Sequence, residues 1–565
     1  MKRSFYIAVV FILLTTLLVS CSWINDDYSL GKNEVKTGNN KSQSESVNNK
    51  PPVTFTMFCV EANDQYDNFE SPVAKMIREK TGASLKIDFE TRDIEQKVSL
   101  MLASGEYPDF IFAKEHQTRF IEAGAFIKLD ELIETYGPNI KKLYGKYFER
   151  LRYSLKDPSI YYLGSYGVGG EKWSPMNGFE LQHRVVKELG YPKIRTLKDF
   201  ENAISEYKKR HPFTDGQPTI GLSLIAEGWR FRISVTNPAV FATGGPDDGE
   251  WYVDPKTQKV IYHYTRPEEK EYFRWLNHMN HIGLLDPETF VQTYDQYIAK
   301  VASGRVLALI DADWNYKEAE RALMEKGSFE RMYGIYPVTL SEKYKNAEFQ
   351  NNGYSGGWGI GITKSCKDPV RAIQFFDWLC SEEGQILVNW GVEGLHYSVE
   401  NGIRVTKGEH LTLRSEPGFE KKTGIGVYSH PFPIYGTGIK DSTGQFYKHG
   451  SKEAFLPKTG IEREVLSAYG AKYWADLYPT SGEFPEKVWG DLWQLNIPAG
   501  SEAKQIMDEC DKIVLRSIPE AVLVKPEDFD VVWNRFIGEI EEAGIHKAEE
   551  ELSRILQDRI KLWNQ

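Results

Sequence analysis

Asp311-Ala312-Asp313-Trp314 sets an indole among carboxylates directly after the apolar run Val306 to Ile310. Sugars are held by stacking their apolar faces on aromatic rings while carboxylates, amides, guanidinium groups and backbone take the hydroxyls, so this is a pattern for saccharide capture. Trp314 with Asp313 is therefore the first candidate, because a buried apolar strand delivers its C-terminal end where open α/β sheets bind ligands. Trp358, beside Gly356-Gly357 and close to Tyr354, is the next. Trp173 and Trp229 follow glycine-rich or apolar stretches, where a ring serves either stacking or packing. Arg230 and Arg232 flank Phe231. In an extended segment both guanidinium groups would face one side, and Arg suits bidentate carboxylate recognition, which brings a uronate-bearing ligand into view. The alternative pairs both with the abundant acidic residues. Trp251, Trp275, Trp378, Trp390, Trp489, Trp493 and Trp533 lie in periodic surroundings without clustered polar partners and are assigned to packing.

Other chemistries find less support. Gly164 to Gly170 and Gly357 to Ser365 are glycine-rich but fit neither GxGxxG nor GxxxxGK[ST], so no nucleotide site follows. HExxH is absent, the GxSxG string at Gly353 to Gly357 is not read as a nucleophile elbow, the eleven histidines are dispersed, and His278 with His281 reads as a surface pair. Beyond Cys21, the cysteines Cys59, Cys366, Cys380 and Cys510 show no CxxC spacing; they are read as buried thiols or one disulfide, and neither metal nor cofactor is signalled. The formal net charge of −11 argues against broad nucleic-acid binding and requires any anionic ligand to find a local Arg or Lys. A glycosidase needs two facing carboxylates, and 80 acidic residues leave a secreted carbohydrate-active hydrolase as the alternative.

The elements that position these residues start after an export signal. Met1-Lys2-Arg3, an apolar run from Phe5 to Leu18 and small residues before Cys21 form a secretory signal too short to span a bilayer. Ser22 to Lys50, rich in Asn, Ser, Lys and Gly, is a tether with too few apolar residues to order. From Val53 the chain is long enough for two cores, since single cores stop growing at about 250–300 residues. Strands are expected at Val53 to Phe58, Ser84 to Phe89 and Tyr107 to Phe112. Helices are expected at Ser71 to Thr81, Ile94 to Ala103, Leu197 to Arg210 and, with apolar Ile540, Ile545, Leu552 and Leu556, Glu539 to Lys561.

Five segments in order carry a resemblance. Leu-Val-Ser-Cys21 resembles the lipobox of bacterial lipoproteins, in which the cysteine is diacylated; the other reading is a plain cleaved signal. Val98 to Ile111 (with Leu102-Ala103-Ser104-Gly105 and Tyr107-Pro108-Asp109), Gly124 to Asp130, Arg184 to Gly190 with Thr196 to Phe200, Ile298 to Trp314, and Gly356 to Lys364 resemble the extracellular solute-binding proteins of ATP-driven sugar importers. Length and the terminal Trp533, Gly538 and Gly544 pattern resemble its large alginate-, aldouronate- and oligosaccharide-binding lipoprotein group.

The resemblance implies a two-lobed α/β fold of the type II periplasmic-binding-protein kind, each lobe a mixed sheet flanked by helices, with a cleft between them. It divides the chain into a signal peptide (1–20), lipidated Cys21 and tether (21–52), first lobe (53–166), second lobe (167–354), a return to the first lobe (355–398) and the rest of the second lobe (399–565). Gly353, Gly356 and Gly357 would serve a hinge. The implied protein is a monomer anchored by lipid alone to the outer face of the cytoplasmic membrane, Gram-positive in type, passing an oligosaccharide to permease subunits of an ABC importer; a same-fold binder of peptide is the other alternative. Alginate-binding relatives carry a calcium loop where this chain has His211 to Gly216, which keeps one carboxylate, so a simple turn is expected there.

Overall fold

The first helix, Pro72–Thr81, begins where Ser71 Oγ accepts the N–H of Ala74, and it ends at Gly82, whose N–H reaches Arg78 O at 2.7 Å. Helix Ile94–Ser104 and helix Leu197–Arg210 follow the expected periods, the latter opened by a capping box between Thr196 and Asp199. The computed structural model describes residues 51–90, 92–414, 418–450 and 452–565; the signal segment, Cys21 and the tether up to residue 50 lie outside the described residues.

Nine strands build the two main sheets: β1 (Val53–Cys59), β2 (Ala83–Phe89), β3 (Phe110–Phe112), β4 (Tyr162–Gly164), β5 (Asn177–Gln182), β6 (Ile220–Ser223), β7 (Val306–Ala312), β8 (Tyr333–Tyr336) and β9 (Gly359–Ile362). The first sheet has the order β2-β1-β3-β9-β4, with β9 antiparallel to both neighbours. The second has the order β8-β5-β7-β6, with β5 antiparallel to β7 and β8. Each sheet thus receives one reversed strand, and in both cases it is the strand that arrives after the chain crosses from the other lobe. Phe55, Met57, Phe110 and Ile360 pack with Phe375 and Phe376 under the first sheet. Phe179, Leu181, Leu222 and Ile310 form the second core with helices Glu502–Leu523, Phe529–Glu542 and Ile545–Trp563.

Three expectations change. β3 starts at Phe110 rather than Tyr107: Pro108 has no N–H for the ladder, and the Asp109 carboxylate instead accepts the N–H and hydroxyl of Thr56, both at 2.8 Å. The terminal helix is broken in two at Gly544, whose φ of 92° no ordinary helical residue adopts. The chain after residue 398 does not go straight to the second lobe. Phe419, Ile425, Tyr428 and Phe432 close the first core, Phe432 against Phe375 and Phe376, and the second lobe resumes with helix Gly460–Ala468.

His211 to Gly216 leads into a two-residue hairpin turn at Asp215-Gly216, between Phe213–Thr214 and Gln217–Pro218. Both Asp215 oxygens take the guanidinium of Arg331, and Thr214 Oγ1 pairs with Thr219 Oγ1 at 2.9 Å, so the loop's donors are committed within the chain. Cys59, Cys366, Cys380 and Cys510 are free, buried thiols.

The crossing before β9 is held tightly. A Cβ on Gly356 (φ 64°) would lie 2.0 Å from Arg150 O. Arg559 donates to Asp491 O at 3.1 Å and also to Ser355 O. Beneath it, Lys487, 3% exposed at its side chain, pairs with Asp248 at 2.9 Å and Asp491 at 3.0 Å. Asp491 also accepts Ser355 Oγ at 2.6 Å and Asn352 Nδ2 at 2.9 Å, tying the second lobe to the crossing.

Candidate functional site

The parallel strands of each sheet end on one edge, and in the second lobe that edge carries two exposed indoles. In the second lobe β6 and β7 end at Ser223 and Ala312. Trp229 follows β6, and Trp314 opens the helix Asp313–Glu325 directly after β7. The two indoles are 51% and 45% exposed, and their rings stack at 5.7 Å and 23°. Large aromatic faces in water are costly to keep unless something covers them. Behind them the Arg230 guanidinium lies 4.5 Å from the Trp229 ring and 3.8 Å from the Tyr294 ring.

A buried chain fixes this platform. Arg230 Nε donates to Asn315 Oδ1 at 3.0 Å, Asn315 Nδ2 donates to Asp311 at 2.9 Å, and Tyr297 donates its hydroxyl to Asp311 at 2.8 Å. Asp311 is 1% exposed, so it positions others rather than touching a ligand. Burial raises its carboxyl to about 6 although Tyr297, the Ala312 N–H and Asn315 all donate to it. Because this lies above the ordinary 3.8, the group favours the folded state most below pH 3.8, and that contribution is lost as pH rises through 6. Asp311→Asn should therefore gain stability relative to the natural protein between pH 4 and 7, read as the difference of two melting curves. The same variant should weaken ligand binding roughly threefold to tenfold by loosening Asn315 and Arg230.

The first-lobe edge has a different composition. Glu61 and Lys114 follow β1 and β3, Tyr166 follows β4, and Trp358 precedes the reversed β9. Trp358, half-buried, lies 4.9 Å from Trp493, and Trp493 meets Tyr166 edge-on at 5.8 Å. Lys114 Nζ stands 5.4 Å over the Trp358 ring. Glu61 accepts from both His430 and Lys114; burial alone would raise its carboxyl, but the hydrogen bond and charge of His430, then Lys114, hold it at about 2.

Of the sequence candidates, Trp314, Asp313 and Trp229 come together on the second-lobe edge, and Trp358 lies on the first. Three others do not serve a surface. Tyr354, 3% exposed, packs against Tyr144 and Tyr147 inside the first core. Trp173, 8% exposed, is wedged edge-on against Phe446 and Phe455. Arg232 is clamped by Glu250 at 3.0 Å and Asp511 at 2.7 Å. The segment from Arg230 is helical, including a π turn at Arg232–Thr236, so residues two apart point about 200° apart rather than to one side. Glu61, Lys114, Tyr166 and Trp493 were missed. The first three follow strands directly, which is a readable signal; Trp493 lies in a segment that returns from the second lobe, as Asn496 does in bonding Tyr162 and Tyr153. His278 pairs with Glu201 at 3.2 Å on the surface. Among the described residues no group of His, Cys, Asp and Glu could hold a metal ion.

The fold is shared with solved proteins. The alginate-binding protein AlgQ2, solved without calcium ion, superposes with a TM-score of 0.61 at 18% identity, covering 93% of this chain and 100% of that one. An HMO-binding, ABC-transporter-associated solute-binding protein from Bifidobacterium longum infantis gives 0.63 at 14%, covering 91% and 99%. In sequence, Lipoprotein LipO of Bacillus subtilis is 22% identical over 480 residues, 79% of this chain and 89% of LipO. The fructooligosaccharide ABC transporter substrate-binding protein FusA of Streptococcus pneumoniae is 25% identical over 248 residues, 41% of this chain and 45% of FusA. A family model described as bacterial extracellular solute-binding protein matches residues 72–390, from the first helix of the first lobe through both sheets to the return past β9. That match covers more than half of the chain, and this chain belongs to the bacterial extracellular solute-binding proteins.

Proposed function

We propose that this protein captures an oligosaccharide outside the cell and delivers it to the permease subunits of an ABC importer, binding the sugar without altering it. The observation that carries the reading is the exposed, near-parallel Trp229–Trp314 pair at the C-terminal edge of β6 and β7, backed by Arg230. A sugar ring offers the flat, partly apolar face such a pair lacks, and Asp313 beside it accepts hydroxyls. Names of relatives support the ligand class: FusA as a fructooligosaccharide receptor, AlgQ2 as an alginate receptor. Arg230, whose neighbours are Asn315, Trp229 and Tyr294, supports uronate-bearing ligands within that class.

Capture works by hinge closure: the lobes come together on a ligand that touches both, Trp314, Asp313 and Trp229 from one side and Trp358 from the other, about the crossing at Gly353 to Gly357. Cys21, diacylated, holds the mature chain at the outer face of the cytoplasmic membrane of a Gram-positive cell, two acyl chains being enough for stable anchoring. Membrane contact is through lipid alone, the protein acts as a monomer, and nucleic acid is not a partner.

The test is a melting-point screen against neutral and acidic oligosaccharides and peptides, with chromatography of every ligand afterwards. A binder of the folded state alone stabilises it by mass action, by about 2.7 kcal/mol at a hundredfold excess over Kd, and so raises the melting point. An unaltered oligosaccharide that shifts the transition is the expected result. Shortened sugars would replace this reading with the hydrolase, and a response to peptides alone would replace the ligand class.

A further inference from the structure

On the first lobe a cavity of about 440 Å³ lies beside the aromatic edge, lined among others by Tyr166, His430, Asn389, Ser429, Lys448 and His449. Among the described residues that line it none is Asp or Glu, in a chain with 80 of them. The Lys448 ammonium has no hydrogen bond or ion pair among the described residues, and burial alone acts on it, lowering its pKa. Lys448 is half-buried, and covering part of a charge without a partner among the described residues is unfavourable, so this lysine marks a place where an anion belongs. Glu61 is taken by His430 and Lys114, Glu382 by Ser442 and Tyr447, and Asp441 by Arg404. The larger groove of about 790 Å³ on the second lobe shows the contrast, because its Lys187 is answered by Glu330 and Glu464, and its Arg331 by Asp215.

The cavity is also shaped for a sugar. Tyr166 joins it to the Trp358 and Trp493 cluster, with its ring 5.9 Å from that of His430. Ser429 and Asn389 bring a hydroxyl and an amide of the kind that meets sugar hydroxyls. Burial, then the Arg414 charge, lowers His449 to about 4, so it stands neutral at pH 7 and adds a ring rather than a second charge.

We propose that this cavity is a subsite for a carboxylate-bearing sugar unit, the Lys448 ammonium pairing with the carboxylate while the rest of the glycan runs over Tyr166 toward Trp358. The site rests on the oligosaccharide reading and adds to it a cation on the first lobe and a direction for the chain: the acidic unit lies on the first lobe.

The experiment titrates the protein and its Lys448→Gln, Lys448→Arg and Ser429→Ala variants calorimetrically with oligogalacturonates and glucuronate-substituted xylo-oligosaccharides, each beside its carboxyl-reduced counterpart, and with a sulfated and a neutral fructo-oligosaccharide. The natural protein should bind an acidic form about tenfold or more tighter than its reduced form, a difference that shrinks with added salt. Lys448→Gln should shrink that difference at least severalfold, any remainder belonging to Arg230, while leaving reduced-form affinity within about twofold, and Lys448→Arg should keep most of it. Equal binding of acidic and reduced forms, an equal loss for both in Lys448→Gln, or a response to sulfated sugars alone overturns the subsite and leaves oligosaccharide capture standing. Binding of none of these sugars, with the melting transition intact, overturns both.

Discussion

Replacing Trp314 by alanine should weaken oligosaccharide binding about thirtyfold or more while moving the melting point by no more than one or two degrees. The separation follows from exposure: Trp314 is 45% and Trp229 51% accessible, so neither indole carries much of the core. A ring that stacks on a desolvated ligand, however, sits where truncation costs about 2 kcal/mol or more, because contact area and water exclusion are lost together. Trp314→Phe should recover part of the affinity, having a smaller face in the same place. Trp229→Ala should cost nearly as much, since Trp229 also covers Arg230, and the double variant should lose less than the sum because the rings support one another at 5.7 Å. Trp173→Ala is the control with the opposite signature. At 8% exposure, between Phe446 and Phe455, it should cost about 3–5 kcal/mol of stability. Calorimetric titration beside thermal unfolding separates the two patterns, and a Trp314→Ala protein that binds like the natural one would remove the platform from the site.

What the sequence disclosed of this site depended on how local its cause was. The placement of Trp314 and Asp313 was readable because an apolar strand of known direction ends beside them, and sheet topology alone puts them at the strand ends where the proposed site lies. Glu61 and Lys114 obey the same rule after β1 and β3 and could have been found by applying it to every strand. Arg232 was misplaced by one local assumption, an extended backbone, which a helical turn reverses. Tyr354 was misplaced because a crossing segment has no period from which inward and outward positions can be told. Trp493 and Lys448 reach the first-lobe edge from stretches far along the chain, and only long-range packing brings them there; the segment 419–432 likewise joins the first core through Phe432 and Tyr428 rather than through any local pattern. Of the nine strands, β1, β2, β3 and β7 were legible as apolar or alternating runs, and the caps Ser71, Gly82 and Thr196 stand where the turns require them; β4, β5, β6, β8 and β9 are short and took their place only through pairing across the sheets.

Lys487→Met should be the most destabilising single change outside the cores, at about 3–5 kcal/mol near neutral pH. The side chain is 3% exposed and is shared by Asp248, 1% exposed, and Asp491. Removing the ammonium leaves the buried Asp248 carboxylate beside the half-buried Asp491, and methionine fills the volume without answering either charge. The pH dependence identifies this cause. Burial already raises Asp248 to about 6 despite Lys487, so its contribution to stability is full below the ordinary 3.8 and lost as pH rises through 6. Without Lys487 the carboxyl must rise further, and the stability deficit of the variant should be largest above pH 7 and shrink toward pH 4, where Asp248 is protonated. Adding Asp248→Asn to Lys487→Met should recover part of the loss, because one of the unanswered charges is gone. The effect should reach binding too, since Asp491 carries Ser355 and Asn352 and so anchors the crossing proposed as the hinge. Chemical denaturation at pH 4 and pH 7.5 reads the energies, and titration with a bound oligosaccharide reads the hinge. A deficit independent of pH would mean that lost packing, rather than uncompensated charge, is what Lys487 guards against. A deficit below about 1 kcal/mol would mean that the crossing is held by Arg559 and the close contact of Gly356 with Arg150 O alone.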